Sequence, residues 1–183
     1  DKLIPYAEMA KAEGWKTKYT FKTPQGDWTK EKYDDGSWQE GYGAFGDRNT
    51  EANKTKWSGD DADVYIRRHF NVSKIEKDAK IRIVYSHDDV FELYLNGEKI
   101  VDTGNTWLDD QFVELTPAQA AKLHEGDNVI AAHCHNTTGG AYADFGIYYT
   151  PANVSKFGAA AEQLSCDVLA TSSYYTFKCG PVK

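Results

Sequence analysis

Residues 80–102 read KIRIVYSHDDVFELYLNGEKIVD, and this stretch decides the fold. Within residues 90–95, apolar residues alternate with Glu92 and Tyr94, and a period of two is typical of a strand with one buried face. Asn96-Gly97 follows directly, and a mixed apolar and polar run resumes after it. An Asn-Gly pair between two such runs is a strong hairpin signal, because both turn residues need positive φ. The stretch therefore predicts an antiparallel β fold.

Similar runs recur along the chain and are separated by turn residues. The predicted strands are 18–21, 64–70, 80–86, 90–95, 112–115, 128–135 and 142–149. Many short strands at regular spacing are typical of a sandwich or jelly roll. We therefore expect an all-β, antiparallel two-sheet sandwich with one or two short helices. Its predicted core includes Phe91, Leu93, Leu95, Ile130 and Ala132.

The one or two short helices are expected at two places. Thr116 followed by Pro117 has the pattern of an N-cap and a first helical residue. Leu3 to Ala12 has the composition of one or two helical turns ending near Gly14. Residues 1–18 are accordingly interpreted as a lead-in, residues 19–150 as the sandwich, and residues 151–183 as a linker and β-hairpin of a following domain. A chain with this layout resembles part of a larger protein.

Composition narrows the classes of partner. The 183 residues carry a formal net charge of −7, with acidic and basic residues interspersed. This balance argues against nucleic acid and anionic membranes, which both select basic surfaces. No run is long enough for a transmembrane helix, and residues 1–20 lack the order of a signal peptide. Three Cys give no disulfide framework, and both a Cys166–Cys179 pair and two free thiols remain open.

Residues 19–150 resemble a known family of domains. The motifs are DW at 27–28, YDDGSW at 33–38, GYGAFG at 41–46, YIRRHF at 65–70, DDVFELYLNG at 88–97 and GDNVIAA at 126–132. In this order they resemble galactose-binding-like jelly rolls of carbohydrate-active enzymes, including the sugar-binding domains of family-two glycoside hydrolases. The resemblance implies a non-catalytic, carbohydrate-binding or scaffolding role in a larger hydrolase.

A second resemblance covers the end of the chain. AEQLSCDVLAT at 161–171, with YYTFKCGPV at 174–182, is similar to the N-terminal β region of glutaminase-A-like proteins of Bacteroides type. This resemblance implies a glutaminase or glycosidase as the parent protein, and the large helical catalytic domain of such proteins is not found in this chain. Both resemblances imply a secreted, periplasmic or cell-surface location.

Strand alternation places two histidines together. On 128–135, His133 and His135 share one face, and Cys134 lies with the apolar residues on the other. Neighbouring imidazoles can converge on a metal, with Asp88 and Asp89 as oxygen donors. The alternative is that all four are surface polar residues and turn formers. No cofactor is indicated with certainty, and a structural Ca²⁺ ion is left open.

Two loops are candidates for ligand binding. The loop NTTGGAY carries Asn136 and Tyr142 around two glycines, and the loop near Trp107 carries Asp109 and Asp110. Sugar sites combine an aromatic face with planar polar groups in a cleft. The alternative is that these residues only close one end of the sandwich.

The sequence gives little support for catalysis. Paired carboxylates are always available among 28 acidic residues. No nucleophile elbow, Walker loop, zinc-protease motif or dinucleotide fingerprint is present. Strand alternation points Cys134 away from both neighbouring His, which disfavours a Cys-His catalyst. The chain alone is therefore predicted not to be an enzyme. A neutral carbohydrate and the remaining domains of the parent chain are the expected partners, and a purely structural spacer without a ligand is the alternative.

Overall fold

The computed structural model of this chain describes residues 2–152, 164–171 and 174–181. The strands are β1 (Ile4–Ala7), β2 (Trp15–Thr20), β3 (Gln39–Gly43), β4 (Phe45–Gly46), β5 (Thr55–Lys56), β6 (Ala62–Val72), β7 (Lys80–Asp88), β8 (Val90–Leu95), β9 (Glu98–Asn105), β10 (Leu108–Glu114), β11 (Gly126–Asn136), β12 (Tyr142–Thr150), β13 (Leu164–Thr171) and β14 (Tyr174–Pro181). The first sheet has the strand order β10-β7-β12-β4-β5, with β1 also paired to β12, and the second has the order β3-β2-β6-β11-β8-β9.

The two sheets enclose one apolar core, as predicted. All five predicted core residues, Phe91, Leu93, Leu95, Ile130 and Ala132, are fully buried. On β8, the three core residues alternate with half-buried residues. Strand β11 pairs with β8 from Ile130 opposite Leu95 to His135 opposite Val90. The β8–β9 hairpin turns at Asn96 and Gly97, with φ of 48° and 89°. The left-handed turn thus explains why Asn-Gly occupies these positions.

The predicted short helix at 116 is also confirmed. Helix α1 (Pro117–Ala120) begins after Thr116, whose hydroxyl accepts a hydrogen bond from the backbone N–H of Gln119. The Gln119 side chain accepts one in return from the N-cap backbone, which completes a capping box. Two otherwise unpaired backbone donors are satisfied in this way.

The predicted helix between Leu3 and Ala12 is wrong. Residues Ile4–Ala7 form β1, which pairs antiparallel with β12 and places Ile4 opposite Tyr149. The segment lies at the open edge of β12, where the unpaired backbone groups of the sheet favour an added strand over local helix propensity. Both β1 and β2 therefore contribute to the sandwich sheets. The proposed domain boundaries at residues 18 and 150 stay a prediction.

Two glycines allow close packing around Phe45. A Cβ on Gly43 would lie 2.1 Å from the Trp15 ring, and one on Gly46 would lie 2.3 Å from the carbonyl oxygen of Ala141. Gly46 also has a φ of 147°, which L side chains rarely adopt. Phe45 is fully buried between these contacts.

Arg67 and Arg68 on β6 point to opposite faces, as strand alternation predicts. Arg68 donates a hydrogen bond to the carbonyl oxygen of Phe145 at 2.8 Å and lies 4.5 Å from the Trp15 ring. Arg67 extends from the outer face of the second sheet toward residues 21–38, which we call the covering segment. Arg68 thus connects β6 to the first sheet, and Arg67 connects the same strand to the covering segment.

The covering segment packs aromatic rings against the second sheet. Trp28 contacts Tyr65 on β6 and Tyr94 on β8 edge-on, with ring centroids 5.4 Å and 5.9 Å apart. Trp38 lies beside Trp28 at 6.3 Å. These contacts bury the outer aromatic face of the sheet under the chain itself.

The last two strands form a separate hairpin. Strands β13 and β14 pair antiparallel in a two-stranded sheet, and among the described strands they pair only with each other. This agrees with the β-hairpin predicted within residues 151–183. Across the described residues, no helix is long and apolar enough to cross a membrane.

Candidate functional site

A polar cleft lies at one end of the first sheet. Its volume is about 340 Å³, and we call it the Arg48 cleft. Its lining comes from the segment after β1, the segment after β4, and strands β7, β10 and β12. The lining residues are Met9, Ala10, Arg48, Ala52, Ser86, Asp109, Asp110, Tyr142 and Asp144. Three of the five residues predicted to bind a ligand, Asp109, Asp110 and Tyr142, therefore meet here.

A bulge in β10 presents the two aspartates. The pairing of β10 with β7 shifts between Leu108 and Gln111, so Asp109 and Asp110 lie in the irregular part of the edge strand. Asp110 has a φ of 51°, and its backbone N–H donates to the Ser86 hydroxyl at 2.9 Å. Bulges of this kind redirect side chains at sheet edges. The bulge therefore turns both residues to the cleft.

Arg48 links the two loops that the sequence singled out. Its Nη1 donates to Oδ1 of Asp109 at 2.6 Å, and its guanidinium carbon lies 4.1 Å from the centre of the Tyr142 ring. One cation thus contacts the β9–β10 region and the start of β12 together. Sequence reasoning missed Arg48, because it follows Gly46-Asp47 in a segment without strand periodicity.

Tyr142 supplies a free hydroxyl to the cleft. Its side chain is almost entirely buried, and its hydroxyl makes no hydrogen bond within the part of the chain that the structure describes. Burial raises the pKa of Tyr142 to about 12, so the group stays protonated at neutral pH. A protonated hydroxyl in the wall of a cleft can donate to, and accept from, a bound polar molecule.

Asp144 forms a closed wall of the cleft. Its Oδ1 accepts from Trp15 Nε1 at 2.9 Å, and both oxygens accept from the backbone N–H of Ala10 at 3.1 Å. Burial raises its pKa despite these bonds. Because both of its oxygens are already engaged by the protein, Asp144 shapes the cleft. The groups open to a ligand are Asp110, the Tyr142 hydroxyl and the second oxygen of Asp109, whose Oδ1 is bound by Arg48.

The other two predicted binding residues lie apart from this lining. Trp107 is 63% exposed in the turn before β10. Asn136 is enclosed, and its amide donates to the carbonyl oxygens of Gly59 and Gly139 at 2.8 Å and 3.3 Å. The amide therefore holds the turn around Gly59 against the glycine loop. Asn136 lies apart from the cleft lining because it is buried at the end of β11, and the spacing of residues in the sequence does not show this burial.

Aspartates hold the loop at 137–141 in place. Asp89 accepts from the backbone N–H groups of residues 137 and 138 at 2.8 Å and 3.3 Å. Asp60 accepts from residue 139 at 3.2 Å, and Asp47 accepts from residue 141 at 3.0 Å. Three carboxylates from three parts of the chain thus satisfy the backbone donors of one short loop.

Asp88 lies beside this cluster and carries a perturbed carboxyl group. Burial and the neighbouring Asp89 carboxylate raise the pKa of Asp88 to about 6, although Arg48 opposes the shift. Two adjacent carboxylates resist simultaneous ionisation, and a shared proton relieves their repulsion. Asp89 therefore supports the loop directly, and Asp88 lies beside it with a carboxyl group whose pKa is raised.

The predicted convergence of Asp88 and Asp89 with His133 and His135 is not observed. His133 Nε2 and His135 Nδ1 lie 2.7 Å and 3.0 Å from the same oxygen, Oδ1 of Asp63 on β6. The histidines project from the outer face of the second sheet, whereas Asp89 binds the backbone of the loop at 137–141. Across the described ranges, no group of three or more His, Cys, Asp or Glu is arranged to hold a metal ion.

Cys134 lies on the opposite face of β11 from both histidines, as predicted. It is fully buried, and its Sγ lies 3.5 Å from the carbonyl oxygens of Asp88 and Tyr142. Burial strongly raises the pKa of the Cys134 thiol. A thiol held protonated in the core is a poor nucleophile.

Comparison with known proteins identifies the fold. No family model and no curated protein match the chain. A β-glucuronidase from glycoside hydrolase family 2 matches with a TM-score of 0.56 at 17% identity, over 82% of this chain and 18% of its own. A β-glycosidase from Bacteroides vulgatus matches with a TM-score of 0.53 at 13% identity, over 100% of this chain and 25% of its own.

A β-glucuronidase from an uncultured Clostridium species is also similar. Its TM-score is 0.50 at 14% identity, over 98% of this chain and 35% of its own. At such identities the likeness shows the fold alone. The chain spans between 18% and 35% of the lengths of these three structures, so it resembles one part of much larger glycosidases.

Proposed function

We propose that this chain is a non-catalytic β-sandwich module of a larger carbohydrate-active hydrolase, and that the Arg48 cleft binds a neutral sugar. The observation that carries the proposal is the meeting of the free Tyr142 hydroxyl with Asp109 and Asp110 in one cleft. The fold match to parts of several glycosidases supports the parent class.

The polar groups of the cleft suit a polyhydroxylated molecule. Asp109 and Asp110 offer acceptors, and the Tyr142 hydroxyl offers a donor, so vicinal hydroxyls can be bound from both sides. Charge-assisted hydrogen bonds to carboxylates are stronger than those between neutral groups. The net charge of −7 disfavours a polyanion at long range. A neutral monosaccharide unit fits this combination best.

A structural spacer is the second candidate, and one observation favours it. Arg48 covers the Tyr142 ring and already pairs with Asp109, so the cleft has no bare aromatic face for stacking. A spacer would position the catalytic part of the parent protein and bind nothing. The resemblance of 161–182 to glutaminase-A-like proteins supports a glutaminase as an alternative parent. For the module of a larger hydrolase, we also propose a secreted or periplasmic location.

Titration calorimetry of the intact chain tests sugar binding. Methyl galactosides, methyl arabinosides and L-glutamine are titrated into the wild type, Asp110→Asn and Asp78→Asn. Asp78 is a matched control, because it is also an exposed aspartate with positive φ, at 59° against 51° for Asp110. We expect saturable binding of one sugar by the wild type and Asp78→Asn, and at least tenfold weaker binding by Asp110→Asn.

Two results would contradict the proposal. The absence of saturable sugar binding by the wild type at millimolar concentrations would favour the spacer. Turnover of a glycoside or of glutamine by the isolated chain, abolished by a single carboxylate or Cys134 substitution, would show that the chain is an enzyme.

A further inference from the structure

The backbone register of the terminal hairpin brings two cysteines together. Strands β13 and β14 pair without a register shift from Leu164 opposite Pro181 to Thr171 opposite Tyr174. Within this ladder, Cys166 is directly opposite Cys179. From this juxtaposition we propose that Cys166 and Cys179 form a cross-strand disulfide in an oxidising compartment.

The geometry of an antiparallel ladder suits such a bond. Directly opposite residues lie on the same face of the sheet, with Cα atoms about 4.5–5.5 Å apart. A disulfide requires Cα atoms roughly 4.4–6.8 Å apart. A slip of one residue in the register would place the two positions on opposite faces. The unshifted ladder is therefore what makes the pairing feasible.

The third cysteine is not available as a competitor. Cys134 is fully buried on β11 between the two sheets, with its Sγ near the carbonyl oxygens of Asp88 and Tyr142. Burial keeps this thiol protonated, and a disulfide forms through attack by a thiolate. Of the three cysteines, Cys134 is therefore a thiol in the core, and Cys166 and Cys179 are the pair that can form the disulfide.

A cross-link would also stabilise the hairpin. A two-stranded sheet is at best marginally stable by itself in water. Among the described strands, β13 and β14 pair only with each other. Closing the loop between residues 166 and 179 lowers the conformational entropy of the unfolded hairpin and so favours the paired register.

The bond forms by two successive exchanges with glutathione disulfide as the oxidant. One cysteine thiolate attacks a sulfur of glutathione disulfide, which gives a protein–glutathione mixed disulfide and releases one glutathione thiolate. The second cysteine thiolate then attacks the protein sulfur of that mixed disulfide and releases the second glutathione. The two cysteine thiols lose two electrons and two protons in total, and one glutathione disulfide becomes two glutathione thiols.

Thiol counting on the full chain tests the proposal. The chain is equilibrated in a buffer of glutathione disulfide and glutathione at an oxidising ratio, quenched in acid, unfolded and alkylated with iodoacetamide. Intact mass then gives the number of alkylated thiols among the three cysteines. We expect one alkylated thiol, at Cys134, and a digest in which the peptides containing Cys166 and Cys179 are joined until reductant is added.

Two variants make the result specific. Cys179→Ser should leave Cys166 carrying one glutathione, because its exchange partner is missing, and Cys134→Ala should leave no alkylated thiol. Three alkylated thiols in the oxidised wild type would overturn the proposal. A cross-link that includes Cys134 would overturn it as well.

Discussion

The Asp35 carboxylate binds the buried guanidinium of Arg67, with 2.8 Å between Oδ2 and Nε. Arg67 also donates to the backbone carbonyl oxygens of Trp28, Lys30 and Tyr33, so a fully buried cation is enclosed by the covering segment. Burial tends to raise the pKa of Asp35, but hydrogen bonds from His69 and Arg67 outweigh it and lower the pKa below its usual value.

Asp35→Ala should destabilise the protein strongly, because it leaves the Arg67 charge buried without its counter-ion. Breaking a buried pair in this way costs about 3 kcal/mol in the free energy of unfolding. Urea unfolding, followed by tryptophan fluorescence, measures the loss. The control is Asp27→Ala, which removes an exposed pair with Lys30 and should cost less than about 0.5 kcal/mol. Equal losses in the two variants would contradict this role of Asp35.

Asp88→Asn should stabilise the protein at pH 8 and have little effect at pH 4. The folded-state pKa of about 6 exceeds the ordinary value of 3.8, so ionisation of Asp88 opposes folding as pH rises through this window. The uncharged amide avoids that cost. Since Asp88 is half-buried, we expect a gain of about 1 kcal/mol after solvent screening.

Thermal unfolding of Asp88→Asn and the wild type between pH 4 and pH 8 measures this difference. The exposed variant Asp78→Asn controls for the general loss of one negative charge. If the stability gain of Asp88→Asn were independent of pH, its cause would not be the titration of this carboxyl group.

Tyr142→Phe should weaken sugar binding about tenfold without a loss of stability. The substitution removes only a hydroxyl that has no hydrogen-bond partner among the described residues, while the ring under Arg48 is retained. Calorimetry gives the affinity, and thermal unfolding gives the stability. Tyr42→Phe changes an exposed tyrosine that does not line the cleft and should alter neither quantity. A large drop in melting temperature for Tyr142→Phe would instead indicate a structural role.

Cys134 should resist alkylation by iodoacetamide at pH 8 as long as the sandwich is folded. The side chain is fully buried and its thiol pKa is strongly raised, so reaction requires opening of the core. The rate of labelling should rise with urea in parallel with global unfolding, as measured by mass spectrometry on the chain with Cys166→Ser and Cys179→Ser. Rapid labelling in the absence of urea would show that β11 opens locally.

The sequence predicted those parts of the fold that depend on local periodicity. Strand β8 was predicted with its observed bounds, and the Asn96-Gly97 turn and the Thr116 cap followed from local chemistry. Strands β1, β3, β4 and β5 were missed, because short strands are defined by partners distant in sequence. The helix predicted in place of β1 failed for the same reason.

The candidate site was predicted only in part. Asp109, Asp110 and Tyr142 were identified from loop composition, but their meeting at Arg48 depends on the β10 bulge. A bulge of this kind leaves no periodic pattern in the sequence. Strand alternation placed His133 and His135 on one face, but it did not show that Asp63 accepts from both.

The anchoring of the covering segment has a consequence for sequence variation. Three of the four groups that bind Arg67 are backbone carbonyl oxygens, which every residue type supplies. Residues 28, 30 and 33 can therefore be replaced without losing these bonds, whereas one residue inserted or deleted between 28 and 35 would move the acceptors out of reach. Related chains that keep this arrangement should hold the length of the segment constant, and Lys30 should vary more freely than Trp28 and Tyr33, whose rings pack against other aromatic residues.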